Sequence, residues 1–417
     1  MRHYILLLLR QRLIIKIHYT ERSKDTMTRD ERLIAFCQEA IRIPSPSGHE
    51  KEVAELMKRK MEEYGFDEVK IDRFGSVYGI IHGKRPGKTI LMDGHIDNVD
   101  VIDESKWTHA PWGAEICDGK IYGRGTSDMK GSVTAMISAA AHLAEDTDRD
   151  FAGNIAVSCT VHEECFEGIS SREITKAVKP DFVIIGEATS STVKIGQRGR
   201  AEVVVETEGV SCHSSNPEKG VNAVYMMMVL IEEICKIVPN EHPILGKGIL
   251  ELTDIISYPY PGASVVPSLC RATFDRRTLV GEDEAVILGQ IEEAIHRAQQ
   301  RVPGLKAKTY LAEGKEKCWT GETISAKRYF PAWVIDEKSD FVQKAVTGLK
   351  EAGIDTQISH FAFCTNGSHF CGEAGIPTIG YGPSLETLAH VRDEYIEVEQ
   401  LIKACKGFES ILRKLTE

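Results

Sequence analysis

The chain has 417 residues, 42% of them hydrophobic, and its 51 Lys and Arg against 62 Asp and Glu give a formal net charge of −11. The length predicts two or three domains. The acidic balance, with no stretch that concentrates Lys and Arg, argues against a nucleic-acid partner. None of the 11 Cys forms a CxxC pair, which predicts reduced thiols in the cytoplasm and not a disulfide framework.

Residues 1–26 are predicted to be an extension outside the fold. The stretch is basic, and its apolar run over residues 4–9 is too short to span a membrane. No small-residue cleavage site of a signal peptide follows it. We favour an extension that reflects the choice of start codon, and the alternative is an anchor at a membrane surface. The domain itself is predicted to begin at Met27.

The first part of the fold, residues 27–198, alternates between strand and helix patterns. Apolar spacing predicts helices over residues 30–43, 50–64 and 132–143, and strands over residues 89–92, 154–161 and 182–185. Ser47, three residues before Glu50, predicts a capping box at the start of the second helix. The alternation indicates an α/β sheet with helices on both faces, in which ligands bind beyond the carboxyl ends of the strands.

A different pattern begins at Gly199. Strands are predicted over residues 201–206, 249–256, 272–278 and 306–311, and helices over residues 221–238 and 282–301. This segment holds no candidate ligand cluster, so residues 199–328 are predicted to form a separate, smaller domain. The helix predicted over residues 339–352 and the strand over residues 378–381 then indicate that residues 329–417 return to complete the first domain.

Acid and histidine side chains follow the predicted strands or stand beside glycines. They are His95, Asp97, Asp128, the adjacent Glu163 and Glu164, Glu187 and His390. Three His, Asp or Glu ligands with one open position are typical of a catalytic zinc site. This series is large enough for two metals, which at a separation of about 3.5–4 Å can hold a nucleophilic water and polarise a carbonyl together.

The spacing of these residues suggests a division of roles. In the Glu163–Glu164 pair, one carboxylate can face the metal while its neighbour takes a proton from the water. Asp97 lies two residues after His95 and can accept the second ring N–H of a histidine, which fixes the ring. Each motif alone is common on protein surfaces, and the ordered set carries the interpretation.

From about Thr28 to the C-terminus, the motifs GHIDNVD, GRGTSDMKG, VHEEC, GEAT, GQRG, GVSCHSSNPEKG, GIPTIGYGPS and AHVRDEY occur in one order. Together they resemble the co-catalytic zinc hydrolases, which include acetylornithine deacetylase, succinyl-diaminopimelate desuccinylase, aminoacylase, glutamate carboxypeptidase and related dipeptidases. The resemblance implies a zinc-peptidase-like catalytic domain, with a mixed sheet between helices. It also implies an inserted smaller α+β lid domain, which makes a homodimer in many members.

The resemblance also implies roles for the site residues. One metal would be held by His95, Asp128 and Glu187, and the other by Asp128, Glu164 and His390. Asp128 would bridge the two ions, Glu163 would be the general base and then the proton donor, and Asp97 would hold His95. The ions are expected to be zinc, although sites of oxygen and imidazole ligands also accept cobalt or manganese.

Further positions are assigned to the substrate. His213 matches a lid histidine that reaches the partner's active site in dimeric members and stabilises the oxyanion; its alternative is an ordinary turn histidine. Arg198 and Arg277 match positions that bind a substrate carboxylate, a task that suits the guanidinium fork, and structural salt bridges are the alternative for both.

The sequence departs from the family pattern at two predicted substrate contacts. Ser264 stands where many members have the Asn of an NVIP turn. Asn366 stands where many have the Asp of a TDGR-like turn. The Gly-Pro-Gly turn has also become Gly-Pro-Ser at residues 382–384. These changes remove no predicted metal ligand, but they argue against assigning the familiar substrates, including N-succinyl-diaminopimelate.

The sequence therefore predicts a metal-dependent hydrolase that cleaves a linear amide bond of an N-acyl amino acid or small peptide. Two metals would activate the water, and a Glu would act as base. The alternatives are an N-carbamoyl amino acid amidohydrolase and a catalytically silent family member that acts as a binding scaffold. Neither nucleic acid nor a membrane is expected as a partner. The acyl group, the amine side and the pathway are not specified by the sequence.

Overall fold

The structure, a computed structural model, describes residues 27–417, so the prediction for residues 1–26 lies outside the described residues. The α-helices are α1 (Arg29–Ile41), α2 (Lys51–Glu63), α3 (Lys130–Asp146), α4 (Ser171–Val178), α5 (Ala223–Ile234), α6 (Glu284–Arg301), α7 (Asp340–Glu351) and α8 (Val398–Leu415). In this part of the chain, no helix combines the length and the apolarity needed to cross a membrane.

The strands fall into a large sheet, a smaller sheet and short pairs. They are β1 (Glu68–Ile71), β2 (Val77–His82), β3 (Arg85–His95), β4 (Glu115–Cys117), β5 (Lys120–Tyr122), β6 (Ala152–Thr160), β7 (Phe182–Ile185), β8 (Val193–Gln197), β9 (Gly199–Glu208), β10 (Glu241–His242), β11 (Gly246–Lys247), β12 (Ile249–Tyr258), β13 (Leu269–Thr278), β14 (Lys306–Leu311), β15 (Glu313–Lys317), β16 (Thr323–Lys327), β17 (Tyr329–Phe330), β18 (Trp333–Val334), β19 (Ile358–Phe361), β20 (Thr378–Gly380) and β21 (Tyr395–Glu397).

The large sheet has nine strands in the order β1-β2-β6-β3-β7-β20-β8-β18, with β19 beside β8. Its centre is parallel, since β3 runs parallel to both β6 and β7. Successive residues of β3 pack on opposite faces: Ile90 and Met92 join the core with α1, α3, α7 and α8, whereas Leu91 joins the core with α4. The sheet is therefore covered by helices on both faces, as predicted, because its central strands bury both sets of side chains.

A second domain is built on the antiparallel sheet β12-β13-β9-β14, with β17 beside β9. Helices α5 and α6 pack against this sheet and share a hydrophobic core with it. Along β13, Cys270, Ala272 and Phe274 are buried, and the residues between them are partly exposed. The four strands and two helices predicted for this segment are confirmed, and one covered face explains the alternating pattern.

The hairpin β15–β16 packs against the large sheet's core although it follows the second sheet in the chain. Cys318 and Ile324 are buried in that core. At the hairpin turn, the indole N–H of Trp319 donates to the main-chain oxygen of Gly75 at 3.3 Å, and the hydroxyl of Thr320 donates to that of Arg73 at 2.7 Å. The chain therefore contacts the first core before β17 is reached.

Two local predictions are wrong. The predicted capping box at α2 is not formed: Glu50 occupies the cap position without a side-chain cap hydrogen bond, and the Ser47 hydroxyl donates to Asp97 at 2.7 Å instead. The helix predicted over residues 221–238 ends at Ile234. Cys235 and Lys236 form a turn there, shortly before Pro239, a residue that disfavours helix in the position before it.

Candidate active site

The parallel centre of the large sheet brings three predicted site segments to one edge. Strand β3 ends at His95, which is in register with Thr160 at the end of β6. Glu163 and Glu164 follow β6, and Glu187 follows β7 on the other side of β3. Because carboxyl ends of adjacent parallel strands meet at the same edge, these side chains converge.

Asp128 links two histidines through its two carboxylate oxygens. Oδ1 lies 2.9 Å from Nε2 of His95, and Oδ2 lies 3.1 Å from Nε2 of His390. Glu187 Oε1 is 3.5 Å from the same His95 nitrogen, and Glu164 Oε2 is 3.0 Å from that of His390. The structure therefore brings all five predicted ligands into two adjoining groups that share Asp128.

The two groups differ in exposure. His95 and Glu187 are buried, whereas the His390 side chain is 53% exposed. The inner group is therefore shielded from solvent, and the outer group opens toward it. A substrate that approaches from solvent would meet the His390 side first.

The donor set fits metal binding. Ligand atoms of His95, Asp128 and Glu164 lie within 4.8 Å of one another, and so do those of His95, Glu163 and Glu187. Oε1 of Glu163 and Oε1 of Glu164 are buried and accept no hydrogen bond in the described structure. Buried carboxylate oxygens without partners are costly, and divalent cations are the usual compensation for such a concentration of acids.

The pKa values of the histidines follow from the same crowding. Burial lowers the pKa of His95, but hydrogen bonds to Asp128 and Glu187 outweigh it and raise the pKa well above its usual value. Hydrogen bonds to Asp128 and Glu164 raise the pKa of His390 to about 10. The surrounding carboxylates therefore favour positive charge at these two positions.

The pKa values of the adjacent glutamates are also raised, with burial as the main cause. Burial, reinforced by Glu187 and Glu167, raises the pKa of Glu163 well above its usual value. Burial and the charge of Asp128 raise the pKa of Glu164 to about 7. A buried carboxyl with a raised pKa beside candidate metal ligands is typical of a residue that exchanges protons with a substrate.

Asp97 contacts both His95 and the two glutamates. Its contact with His95 is made by the main-chain oxygen and not by the carboxylate that the sequence predicts. Nδ1 of His95 is 2.9 Å from the main-chain oxygen of Asp97 and 3.6 Å from its carboxylate. The buried carboxylate accepts the main-chain N–H groups of Glu163 at 3.1 Å and Glu164 at 3.2 Å, together with the Ser47 hydroxyl. Asp97 thus orients the His95 ring with its backbone and holds the glutamate turn with its side chain.

Glu394 and Arg124 support Asp128 and were not predicted. The Glu394 carboxylate accepts the main-chain N–H groups of Ser127 at 2.8 Å and Asp128 at 3.1 Å, and Arg124 donates to it at 2.6 Å. Both residues belong to motifs already quoted, GRGTSD and AHVRDEY, and Glu394 lies four residues after His390. The sequence signal for Glu394 was an acid in the same motif as the predicted ligand His390.

His213 and Ser264 are neighbours on exposed loops of the second domain. The main-chain N–H of Ser214 donates to the main-chain oxygen of Ser264 at 2.9 Å, and His213 bridges to Val265. Nδ1 of His213 accepts the main-chain N–H of Ser215 at 3.1 Å. Among residues 27–417, these hydrogen bonds of His213 join it to its own domain and not to the acid and histidine groups.

The remaining predicted substrate contacts have different surroundings. Arg198 donates to the main-chain oxygens of Lys247 at 3.0 Å and Ala362 at 3.5 Å, and its buried Nε has no hydrogen-bond partner in the described structure. Arg277 pairs with Asp275 at 2.8 Å.

Asn366 is buried and fully engaged within the fold. Its amide donates to Asp93 and to Thr160, each at 2.9 Å, and its oxygen accepts the Gly168 N–H at 2.7 Å. A direct contact between Asn366 and a substrate would have to replace one of these bonds.

Comparison with known proteins agrees with the class of site. Residues 91–414 match peptidase family M20/M25/M40. The chain is 33% identical over 383 residues to the protein YgeY of Escherichia coli (strain K12), which covers 90% of this chain and 92% of YgeY. It is 29% identical over 397 residues to succinyl-diaminopimelate desuccinylase 2 of Ruegeria sp. (strain TM1040), with 91% and 94% covered.

Solved structures show the same fold at low identity. The aminopeptidase PepT of Bacillus cereus superposes with a TM-score of 0.72 at 18% identity, over 93% of this chain and 98% of that one. The YXEP protein of Bacillus subtilis, described as a dinuclear metal-binding peptidase of family M20, gives a TM-score of 0.69 at 14% identity, over 92% and 97%.

The fold and the site together define a hydrolase of amide bonds, with a domain built on a mixed sheet and a smaller second domain. The chain belongs to peptidase family M20/M25/M40. The resemblance drawn from its motifs is thereby confirmed, as is an activity of the peptidase or deacylase kind on peptides or acyl amino acids.

Proposed function

We propose that this protein is a two-metal hydrolase that cleaves the linear amide bond of an N-acyl amino acid or small peptide, with Glu163 as general base. The observation that carries the proposal is the position of Asp128 between His95 and His390, beside buried carboxylate oxygens of Glu163 and Glu164 that lack partners. Such an arrangement of acids and imidazoles suits two divalent ions that share one carboxylate.

The candidate ligands divide into two sets. His95, Asp128 and Glu187 would hold the inner ion, and Asp128, Glu164 and His390 the outer one. When bound, the ions would polarise the substrate carbonyl and lower the pKa of water. Zinc is our proposed metal, with cobalt or manganese as alternatives that the same oxygen and imidazole ligands accept.

Glu163 would move the proton during the reaction. It lies beside the inner group and is only 6% exposed, and Asp97 fixes its main chain. As the oxygen of water bonds to the carbonyl carbon, Glu163 would take one proton from that water. It would return the proton to the amine nitrogen as the C–N bond breaks, which gives a carboxylic acid and a free amine.

His213 would complete the site from a partner subunit. The loop of His213 is exposed, and the hydrogen bonds of its ring to Ser215 are made by Nδ1 and not by Nε2. On the same domain, Tyr225 and Met228 of α5 are 64% and 56% exposed, an apolar face that suits a homodimer through the second domain. His213 would donate a hydrogen bond to the oxyanion of the tetrahedral intermediate.

The substrate carboxylate is assigned to Arg198. Its guanidinium donates to main-chain oxygens, which leaves its charge available for a carboxylate. Arg277 and Ser264 are further proposed contacts. Asn366 would act indirectly, through the Asp93 and Gly168 contacts that it holds.

A substrate panel tests the proposal. Purified protein loaded with zinc would be given N-acetyl, N-succinyl and N-carbamoyl amino acids and dipeptides, before and after chelation. We expect chelator-sensitive release of amine from an N-acyl amino acid or a dipeptide. Turnover of N-carbamoyl substrates alone would favour the amidohydrolase alternative. No turnover with zinc, cobalt or manganese would contradict the proposal and favour a binding scaffold. A cytoplasmic location remains a prediction from the cysteine content.

A further inference from the structure

Glu163 lies on a loop formed by residues 163–168. Two arginines contact this loop, one from each of the two places where the chain passes between the domains. Arg200 lies at the start of β9, where the chain enters the second domain, and Arg328 lies between β16 and β17, where it returns. Both side chains turn toward the same loop. The contacts are specific for each arginine and involve different atoms of the loop.

Arg200 binds the loop through a buried acid. Its Nη1 donates to Oε1 of Glu167 at 2.9 Å. Its other nitrogens donate to Asp275 at 3.0 Å and to Glu202 at 2.8 Å, both in the second sheet. The Glu167 side chain is 8% exposed, so this charge-assisted bond is shielded from water and from salt screening.

Arg328 binds the loop backbone. Its Nη1 donates to the main-chain oxygen of Cys165 at 2.7 Å, and its guanidinium lies 5.0 Å from the centre of the Phe166 ring. Its Nε is also 3.4 Å from Glu202. Gly314 lies against both the Phe166 ring and Arg328, and a Cβ at that position would overlap the ring.

Glu202 contacts both arginines and therefore links them. The loop of residues 163–168 lies between two sets of contacts. On one side, Asp97 and Asn366 of the first domain hold the amides of Glu163 and Gly168. On the other, Arg200 and Arg328 hold Glu167 and Cys165. A rotation of the second domain at its two crossings would move the arginine contacts but not those of Asp97, so it would shift the loop.

We propose that Arg200 and Arg328 are positioning residues that couple the orientation of the second domain to the placement of Glu163. This inference rests on the proposed function of Glu163 as base. Neither arginine is assigned to substrate or to metal. Displacement of a reacting group by about 1 Å costs on the order of 10²-fold in rate, so a small shift of the loop is sufficient to matter.

Arg328→Met and Glu167→Gln test the proposal. Glu167→Gln keeps the shape of the side chain and loses its charge, and Arg328→Met keeps an unbranched apolar stem and loses the charged guanidinium. Arg271→Met is the matched control, because Arg271 also lies in the second sheet and pairs with an acid, Glu206, at 2.7 Å without contact to the loop. The measurements are kcat and KM on the best substrate, metal content, melting temperature, and amide hydrogen exchange of residues 163–168.

We expect both test variants to lower kcat by about 10- to 100-fold, with KM, metal content and melting temperature close to wild type. The double variant is expected to lose less than the product of the single losses, because the two contacts hold one loop. Exchange of residues 163–168 should be faster than in wild type. The control should match wild type in every measurement.

Other outcomes overturn the proposal. A fall in kcat that parallels loss of metal or of melting temperature would indicate a purely structural role, and unchanged kcat with unchanged exchange would show that the arginines do not hold the loop. Wild-type protein without turnover would sink the proposed function. In that case, amide hydrogen exchange of residues 163–168 alone decides whether the arginines hold the loop. If the variants exchange at the wild-type rate, the coupling is refuted as well.

Discussion

The carboxylate of Asp97 accepts a hydrogen bond from the main-chain amide of Glu163 at 3.1 Å. It also accepts the amide of Glu164, so it fixes the turn that carries both glutamates. We predict that Asp97→Ala lowers kcat by about 10- to 100-fold, the usual cost of removing a residue that orients a metal site. Steady-state kinetics with the best substrate would measure the change.

Asp181→Ala is the control for that variant. The Asp181 carboxylate also accepts a main-chain N–H, from Thr89 of β3 at 2.8 Å, but it lies on the surface and away from the glutamate turn. Its loss should change kcat by less than about twofold, as for most surface substitutions. An equal loss of activity in both variants would contradict the role given to Asp97.

Glu163→Gln is expected to retain metal and to lose turnover by about 10²- to 10⁴-fold, because an amide of the same shape cannot take the proton from water. Elemental analysis and kinetics on one preparation would separate the two effects. Glu173→Gln, which alters an acid of α4 that pairs with Lys176, is the control and should keep full activity. Retained turnover in Glu163→Gln would remove the residue from the role of base.

His213→Ala should lose about 10²-fold in kcat, equivalent to about 3 kcal/mol of oxyanion stabilisation, with unchanged metal content. A mixing experiment tests whether the histidine acts across the dimer. His213→Ala and Glu163→Ala chains, each nearly inactive, should recover about one quarter of wild-type activity after random exchange, because half of the dimers then hold one complete site. No recovery in dimers shown to be mixed would place His213 outside the partner's site.

His142 gives a prediction for pH. Burial, together with the charges of Arg29 and Arg32, lowers the pKa of His142 from 6.5 to about 4. Between these values the unfolded chain binds a proton that the folded protein does not, so stability falls as the pH is lowered through this window. When the pH is lowered from 7 to about 5, the melting temperature of His142→Gln should fall by less than that of wild type.

His296→Gln is the matched control for the pH series. His296 is exposed on α6, and this variant is expected to keep the wild-type dependence on pH. If His142→Gln also keeps that dependence, the burial of His142 contributes nothing to acid sensitivity.

The convergence of the candidate ligands could be predicted because several of them lie at the ends of strands. His95 is the last residue of β3, Glu163 and Glu164 follow β6, and Glu187 follows β7. Parallel strands bring such positions together. The pattern of the second sheet was readable for a related reason, since one buried face leaves an alternating signature on each strand.

The supporting contacts could not be predicted because they join residues that are distant in the chain. Ser47 matched a local capping rule, but tertiary structure brings it to Asp97, fifty positions away, where its hydroxyl binds a buried carboxylate. The contact of Arg200 with Glu167 likewise depends on how two domains meet. A local pattern carries no information about such an approach, and only the folded arrangement reveals it.

Metal content by elemental analysis tests whether Asp128 joins two metal sites. Wild-type protein reconstituted with zinc should hold about two ions per chain, His390→Ala about one, and Asp128→Ala fewer than one, because a bridging carboxylate serves both ions. Melting temperatures would confirm that the variants remain folded. A wild-type protein that holds no ion, or a folded Asp128→Ala variant that keeps two, would show that Asp128 does not bridge two metal ions.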